Sequence, residues 1–375
     1  MHYNCKLSCD KCDELRIDQA SAKFGQAQVI QGDQGADTDR MKALLEDMMM
    51  YMENEVYMED IYDAVREDCL NRNELCIYWA SIGECENNPG FMTLQCSPAC
   101  ATCRHIDVEY RCQYDVAQYP NAYSPGDLHA MFERVANGAF DDLKPVVHSA
   151  PFDYHEKRTN LTSFIDETNL KLDGPWIVTF DNFVTNEEAD QLIQRGYDQG
   201  YERSKDVGQR KFDGTFDGFT NSGRTSHNAW CEKDCDTDPI TQSIMSRIQR
   251  VTNIPNQNSE YLQILKYEVG EYYNMHHDYI DYQHSRMCGP RVLTFFLYLS
   301  DVEEGGGTMF NNLGIEVRPK KGRALLWPSV LDEDPERKDH RTDHEALPVV
   351  EGQKFAANAW LHLRDFKEAN DKGCA

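Results

Sequence analysis

The chain has 375 residues, a formal net charge of −26 and a pI near 4.8. That length allows more than one domain, one with a core of about 200 residues, and the acidic balance argues against nucleic-acid binding, which needs a basic footprint. No stretch approaches the ~18 apolar residues that cross a bilayer, and 14 cysteines are many for a cytosolic enzyme.

At the N-terminus, Met1-His-Tyr-Asn-Cys5-Lys-Leu-Ser-Cys9-Asp-Lys-Cys12 matches Met92-Thr-Leu-Gln-Cys96-Ser-Pro-Ala-Cys100-Ala-Thr-Cys103 at the methionine and every cysteine, without a gap. Residues 13–68 read as an acidic, partly helical linker. From Asp37 to Glu67, Leu, Met, Tyr and Ile recur at helical spacing between acidic residues, and a methionine stripe of this kind is a packing face. Cys69, Cys76, Cys85, Cys96, Cys100 and Cys103 then fall within 69–103. A module so short has no room for a core of its own and must be stapled. Fifteen pairings of six cysteines are open to sequence alone. A zinc site on the Cys-x3-Cys-x2-Cys run would use too few of the six.

Residues 104–173 form a connector with Pro- and Gly-bearing turns and one helix in PGDLHAMFERVANG. It carries the sequon Asn160-Leu-Thr162, compatible with a secreted chain. The region from 174 opens with the strand WIVTFDNF and a helix entered at Thr185, in TNEEADQLIQRG. The stretch from Ser204 to Asp236 is rich in Gly, Asp, Asn and Ser, with Phe212, Phe216 and Phe219 spaced through it. That composition predicts a mobile loop able to close over a ligand. A second helix lies in DPITQSIMSRIQRVTN. From Tyr261 onward, short strands alternate with Gly-, Asp- and Pro-rich turns, the pattern of a jelly roll or barrel. The longest apolar run, VLTFFLYLS, is a buried strand by length and aromatic content. Residues 367–375 are a C-terminal tail.

The chemistry sits in that last region. In YEVGEYYNMHHDYI, His276 and Asp278 are one residue apart, so on a strand they share a face while His277 points away. His344, in RTDHEALPV, supplies a third ligand from a distant strand. Two histidines and one carboxylate hold Fe(II) and leave positions open for an oxidant and a cosubstrate. An HxD alone does not distinguish a metal site from a half-exposed strand, so the surroundings decide.

Those surroundings are YxxGxxYxxHxD from Tyr267 to Asp278, then RVLTFFLYLSDVEEGGGTMF, VRPKKGRALLWPS and HEALPVVEGQKFAANAW. Over 174–366, and most densely from Gln263 to Trp360, the chain resembles the prolyl 4-hydroxylases, Fe(II)- and 2-oxoglutarate-dependent dioxygenases of the collagen type. The resemblance implies an α+β fold, with helices packed on a double-stranded β-helix, or jelly-roll, catalytic domain. It implies hydroxylation of peptidyl proline at C4, with O2 and 2-oxoglutarate consumed, succinate and CO2 released, and ascorbate as reductant. His276, Asp278 and His344 take the place of the metal ligands. Lys354 takes the place of the cation that pairs with the far carboxylate of 2-oxoglutarate, which needs one when buried. Tyr267 and Thr308 match positions that offer hydroxyls to the cosubstrate, and Trp360 matches a pocket-wall aromatic. His340 fits less well than His344, because a ten-residue step from it lands on Val350. His362 reads as structural. The stretch from Ser204 to Asp236 matches a substrate-covering loop in the family.

The 69–103 segment resembles the ShKT module, which implies the pairs Cys69–Cys103, Cys76–Cys96 and Cys85–Cys100. Residues 1–12 then read as the tail of an earlier ShKT copy, so the chain is expected to start inside a domain, and the lack of a signal peptide says little about compartment. Disulfides place the protein in the secretory pathway, in the endoplasmic reticulum or Golgi lumen. Cys231 and Cys235 are close enough to pair; Cys112, Cys288 and Cys374 have no sequence-based partner. The expected partner is a proline-rich peptide or protein, while the ligand of the module is open. Two alternatives stand beside this reading. One is another dioxygenase of the superfamily, such as a lysyl hydroxylase, although those resemble enzymes with arginine where this chain has Lys354. The other is a secreted ShKT binding protein over an inactive oxygenase domain, which would be expected to have lost a ligand or the lysine.

Overall fold

The computed structural model describes residues 16–18, 20–30, 38–151, 174–211, 213 and 216–375. The cysteines of residues 1–12, the sequon at Asn160 and Phe212 lie outside the described residues. The chain divides into two compact units. The described residues up to Tyr114 join Gln209–Asp217 and Ala369–Ala375 in one, and Asp115–Gly208 with Gly218–Glu368 make the other.

In the first unit, β1 (Arg16–Asp18) and β2 (Gln28–Ile30) pair antiparallel. Helix α1 (Thr38–Tyr51) buries Met41, Leu45 and Met48, one per turn, so these are packing residues, while Met50 is exposed. It is shorter than the spacing predicts. After Tyr51 the chain widens into a π turn at Met52–Val56 and then a 3-10 turn at Asp60–Tyr62. Both still deliver Met52, Val56 and Tyr62 to the same core. The short helices α2 (Cys76–Ser81), α3 (Glu84–Asn87) and α4 (Pro89–Gln95) follow. Disulfides join Cys69 to Cys103, Cys76 to Cys96 and Cys85 to Cys100, the pairs the resemblance implies. A fourth joins Cys112 to Cys374 across 262 residues of sequence.

The second unit begins earlier than residue 174. Helix α5 (Asp127–Arg134) buries Leu128, Met131 and Phe132, and β3 (Pro145–Ser149) pairs with β4 (Ile177–Phe180). Part of the expected connector is therefore built into this sheet. Helix α6 (Asn186–Gln199) starts at Thr185, whose side chain accepts from the Glu188 N–H while Glu188 accepts from the Thr185 N–H, a capping box that satisfies two orphan donors. Next in the chain come β5 (Glu202–Arg203), β6 (Asp206–Arg210), β7 (Phe216–Phe219) and β8 (His227–Trp230), of which residues 209–217 of β6 and β7 are grouped with the first unit. The segment expected as a loop thus carries three short strands among its turns, and β6 and β7 pair with each other. Helix α7 (Pro239–Thr252) is capped by Asp238, and a disulfide joins Cys231 to Cys235 ahead of it.

The remaining strands are β9 (Gln263–Tyr267), β10 (Tyr273–His276), β11 (Arg291–Tyr298), β12 (Glu304–Gly305), β13 (Thr308–Phe310), β14 (Ile315–Val317), β15 (Ala324–Pro328), β16 (His344–Ala346), β17 (Val349–Glu351) and β18 (Lys354–His362). An eight-stranded sheet runs β3-β4-β15-β11-β18-β9-β8-β5, and a four-stranded sheet runs β10-β16-β13-β14. Every neighbouring pair of strands in both sheets is antiparallel. This is the double-stranded β-helix.

Strand parity sorts the large sheet's side chains. On β11, Leu293, Phe295 and Leu297 pack into the cluster that includes α5, α6 and α7 residues. Phe296 and Tyr298 instead join Phe310, Val317 and Trp327 in a second cluster drawn from both sheets. On β18 the same alternation sends Phe355, Ala357, Ala359 and Leu361 to the first cluster and Ala356 to the second. Lys354, Asn358 and Trp360 therefore face the barrel interior.

Candidate metal and cosubstrate site

The barrel interior holds a cavity lined by residues of both sheets, among them Tyr267, Tyr273, Phe296, Thr308, Trp327 and Trp360. His276 and His344 sit at its wall on paired strands, register partners across β10 and β16. The strand stops at His276, and Asp278 lies in the bend just beyond it. His276 Nε2 is 3.9 Å from Asp278 Oδ1, and His344 Nε2 is 3.7 Å from Asp278 Oδ2. One ligand atom from each of the three residues lies within 4.8 Å of the others, the one such group among the described residues.

The rest of each side chain is already spoken for, which aims the free atoms inward. His276 Nδ1 donates to the Asn274 carbonyl at 2.8 Å, and His344 Nδ1 donates to the Thr342 carbonyl at 3.0 Å. Those bonds fix the tautomer and leave each Nε2 lone pair for a metal. Tyr273 stacks on the His276 ring at 3.7 Å between centroids. Asp278 is buried and accepts from the Thr294 hydroxyl at 2.6 Å. Burial alone would raise its carboxyl, but His344, His276, Arg291 and Thr294 outweigh it and hold it down at about 2. Burial first, then His344, pushes His276 down to about 3. Two neutral imidazoles and one carboxylate are the donor set for a divalent iron.

His277 does not join them. Its Nδ1 accepts from the Tyr279 N–H at 2.9 Å and its Nε2 donates to the Asp339 carbonyl at 2.9 Å. It is a brace between loops, on the side away from the site. His340 is exposed and lies in the turn before β16.

Lys354 is fully buried, and its Nζ has no hydrogen-bond partner. Its nearest surroundings are aromatic: Nζ lies 5.0 Å from the Tyr267 ring centroid, 5.3 Å from Phe296 and 5.7 Å from Tyr298. Burial pushes this amine down to about 7. A lone ammonium in an apolar floor is costly unless an anion arrives, so the residues fit a cosubstrate that brings a carboxylate. Thr308 lines the cavity and its hydroxyl is 2.7 Å from that of Tyr298. Tyr267 and Trp360 also line it, and the buried indole Nε1 of Trp360 has no partner. The structure thus brings His276, Asp278, His344, Tyr267, Thr308 and Trp360 around one cavity, with Lys354 set among its aromatic residues.

Sequence reasoning passed over several neighbours. Thr294 is the one polar residue in the run from Val292 to Leu297 of β11, and that isolation was its signal. Arg224 lines the cavity, stacks over Tyr273 at 4.6 Å and donates to Gln263 at 3.0 Å. Behind Asp278, Glu260 accepts from Arg291 Nε at 2.6 Å and from His362 Nε2 at 2.8 Å. His362 Nδ1 donates to the Gly289 carbonyl at 2.8 Å. Although burial opposes it, contacts with Cys288 and Glu260 push His362 up to about 9. This histidine is structural, as part of a buried ionic group.

Residues 262–362 match the model of the 2OG-Fe(II) oxygenase superfamily, and residues 68–103 match the ShK domain-like model. A probable prolyl 4-hydroxylase 8 of Arabidopsis thaliana is 33% identical over 212 residues, 51% of this chain and 70% of that protein. The alpha-2 subunit of chicken (Gallus gallus) prolyl 4-hydroxylase is 36% identical over 146 residues, which are 38% of this chain but only 27% of the subunit. Among solved structures, a viral collagen prolyl hydroxylase of Paramecium bursaria Chlorella virus-1, in complex with 2-oxoglutarate, is 26% identical, with a TM-score of 0.40 over 50% of this chain and 95% of that one.

Proposed function

The chain belongs to the prolyl 4-hydroxylase family, and from that premise we propose that it hydroxylates peptidyl proline at C4, with Fe(II), 2-oxoglutarate and O2 consumed or bound and ascorbate as reductant. The products are 4-hydroxyproline, succinate and CO2. Bound iron and 2-oxoglutarate supply the oxidising chemistry. His276, Asp278 and His344 hold the metal, with Thr294 fixing the carboxylate. Lys354 pairs with the far carboxylate of 2-oxoglutarate, near the hydroxyls of Tyr267 and Thr308, and Trp360 walls the pocket.

The observation that carries this reading is the unpartnered ammonium of Lys354, buried among aromatic rings that line the same cavity as the three ligands. An inactive relic has no reason to maintain a buried charge, because losing it would stabilise the fold. Disulfides support a secretory lumen, the endoplasmic reticulum or Golgi. No described helix is long and apolar enough to cross a membrane. The partner is a proline-rich peptide or protein, whose polyproline II shape costs little entropy to bind.

The test is mass spectrometry of proline-rich peptides incubated with enzyme, iron, ascorbate and 2-oxoglutarate. Hydroxyproline formed in step with succinate is expected. Hydroxylysine as the only product, or no 2-oxoglutarate turnover, would overturn the assignment.

A further inference from the structure

The large sheet does not stop at the barrel. Beyond β9 it continues through β8, and register fixes what β8 presents. Trp230 pairs with Gln263, which pairs in turn with Asn358. Directly opposed residues share a face, so Trp230 stands on the face that carries Asn358 and Trp360. Ala229, its neighbour, pairs with Ile264 and is buried on the other side.

Trp230 is 37% exposed, while Trp360 is 6% exposed. Their ring centroids lie 6.2 Å apart, and Arg291 covers Trp360 at 3.8 Å. The contacts Arg291–Trp360–Trp230, with the two indoles tilted at 48°, thus run from the buried wall of the cavity to a part-exposed surface. The exposed indole is not loosely held. Cys231, next in sequence, is buried, bonded to Cys235, and donates its N–H to the Leu262 carbonyl at 2.9 Å. A rigid aromatic surface beside a site is a low-entropy contact for a ligand.

Resting on the proposed peptidyl-proline activity, we propose that Trp230 forms a specificity subsite that stacks an apolar ring, proline above all, at the second residue from the one being hydroxylated. A polyproline II chain advances about 3.1 Å per residue, so the second residue along lies about 6.2 Å away on its axis. The 6.2 Å between the indoles matches that step. A target residue against Trp360 therefore places its second neighbour on Trp230.

The experiment compares peptides with a single target proline and either proline or alanine two positions before or after it. The readout is the ratio of kcat/KM for the ring-bearing peptide to that for its alanine partner, measured within each protein at saturating 2-oxoglutarate. Wild type should favour the ring about five- to tenfold at one of the two positions. Trp230→Ala should bring the ratio to one, and Trp230→Phe should keep most of it. An equal ratio in wild type and Trp230→Ala, or no preference in wild type, would overturn the subsite alone. A wild-type enzyme that hydroxylates none of the peptides would overturn the activity on which the subsite rests.

Discussion

Lys354 and Tyr267 are register partners across β18 and β9, and the ammonium of the first stands 5.0 Å from the ring centroid of the second. Nothing else in the described structure neutralises that charge. Its presence therefore costs stability until a carboxylate binds.

Replacing Lys354 with Met keeps the volume and removes the charge. The variant should lose 2-oxoglutarate binding while its ligand-free form becomes more stable by about 1–4 kcal/mol. Thermal melts with and without 2-oxoglutarate check both halves, and a destabilised ligand-free variant would count against an unpaired cation. The wild type carries a matching pH signature. The amine titrates near 7 folded, against 10.5 ordinarily, so the unfolded chain binds the extra proton between those values. Stability of the ligand-free protein should rise with pH across that window, with the penalty complete below about 7 and gone above about 10.5. Saturating 2-oxoglutarate should flatten the slope.

Thr294→Val removes the hydroxyl that donates to Asp278 and leaves the shape of β11 intact. Metal affinity should fall about 10–100-fold, read by titration with Fe(II) or a redox-silent surrogate under anaerobic conditions. Ala at His276, Asp278 or His344 should abolish binding. His277→Ala should still bind metal yet lose about 1–3 kcal/mol of stability, because its two hydrogen bonds brace separate loops.

Glu260→Gln leaves Arg291 and a charged His362 buried without their counterion, at a cost of about 3–5 kcal/mol. Chemical denaturation would measure it. In wild type, His362 titrates near 9 folded against 6.5 ordinarily. Its contribution should be complete below about 6.5 and fade as pH rises through about 9. A flat response over that window would show that the imidazole is neutral.

The paired strands β6 and β7 lie within the segment expected as a mobile loop. Asp206, at the base of β6, lies 3.4 Å from the Tyr273 hydroxyl and 3.8 Å from Arg224, so this base borders the cavity. Replacing residues 209–220 with a short glycine linker should raise the peptide KM severalfold and spare peptide-independent 2-oxoglutarate turnover. Unchanged peptide kinetics would remove the ribbon from substrate binding.

The convergence of His276, Asp278 and His344 was legible because its signal is local and chemical: an HxD and a distant histidine, read within motifs in the right order. The capped helix at Thr185 and the apolar strand β11 were equally open, since one depends on three adjacent positions and the other on a run of residues. What escaped was set by long-range register. β3 joins the sheet through β4, and a short Val-Val run between turns does not announce a partner that far along the chain. The ribbon was hidden because Gly, Asp and Ser favour loops by local preference, and cross-strand pairing overrode it. Glu260, Arg291 and His362 are separated by up to 102 residues, so their meeting has no sequence signature.

The Cys112–Cys374 bond makes the polypeptide a covalent ring of more than 260 residues. A ribosome cannot deliver that ring piecemeal: the 69–103 staples can form while synthesis continues, but this one waits until position 374 has been made. Closure is then a checkpoint on completeness, marking chains in which everything between the two cysteines has been translated. The same ring holds a nicked molecule together. A single cut between residues 113 and 373 should leave one species on a non-reducing gel and two after reduction.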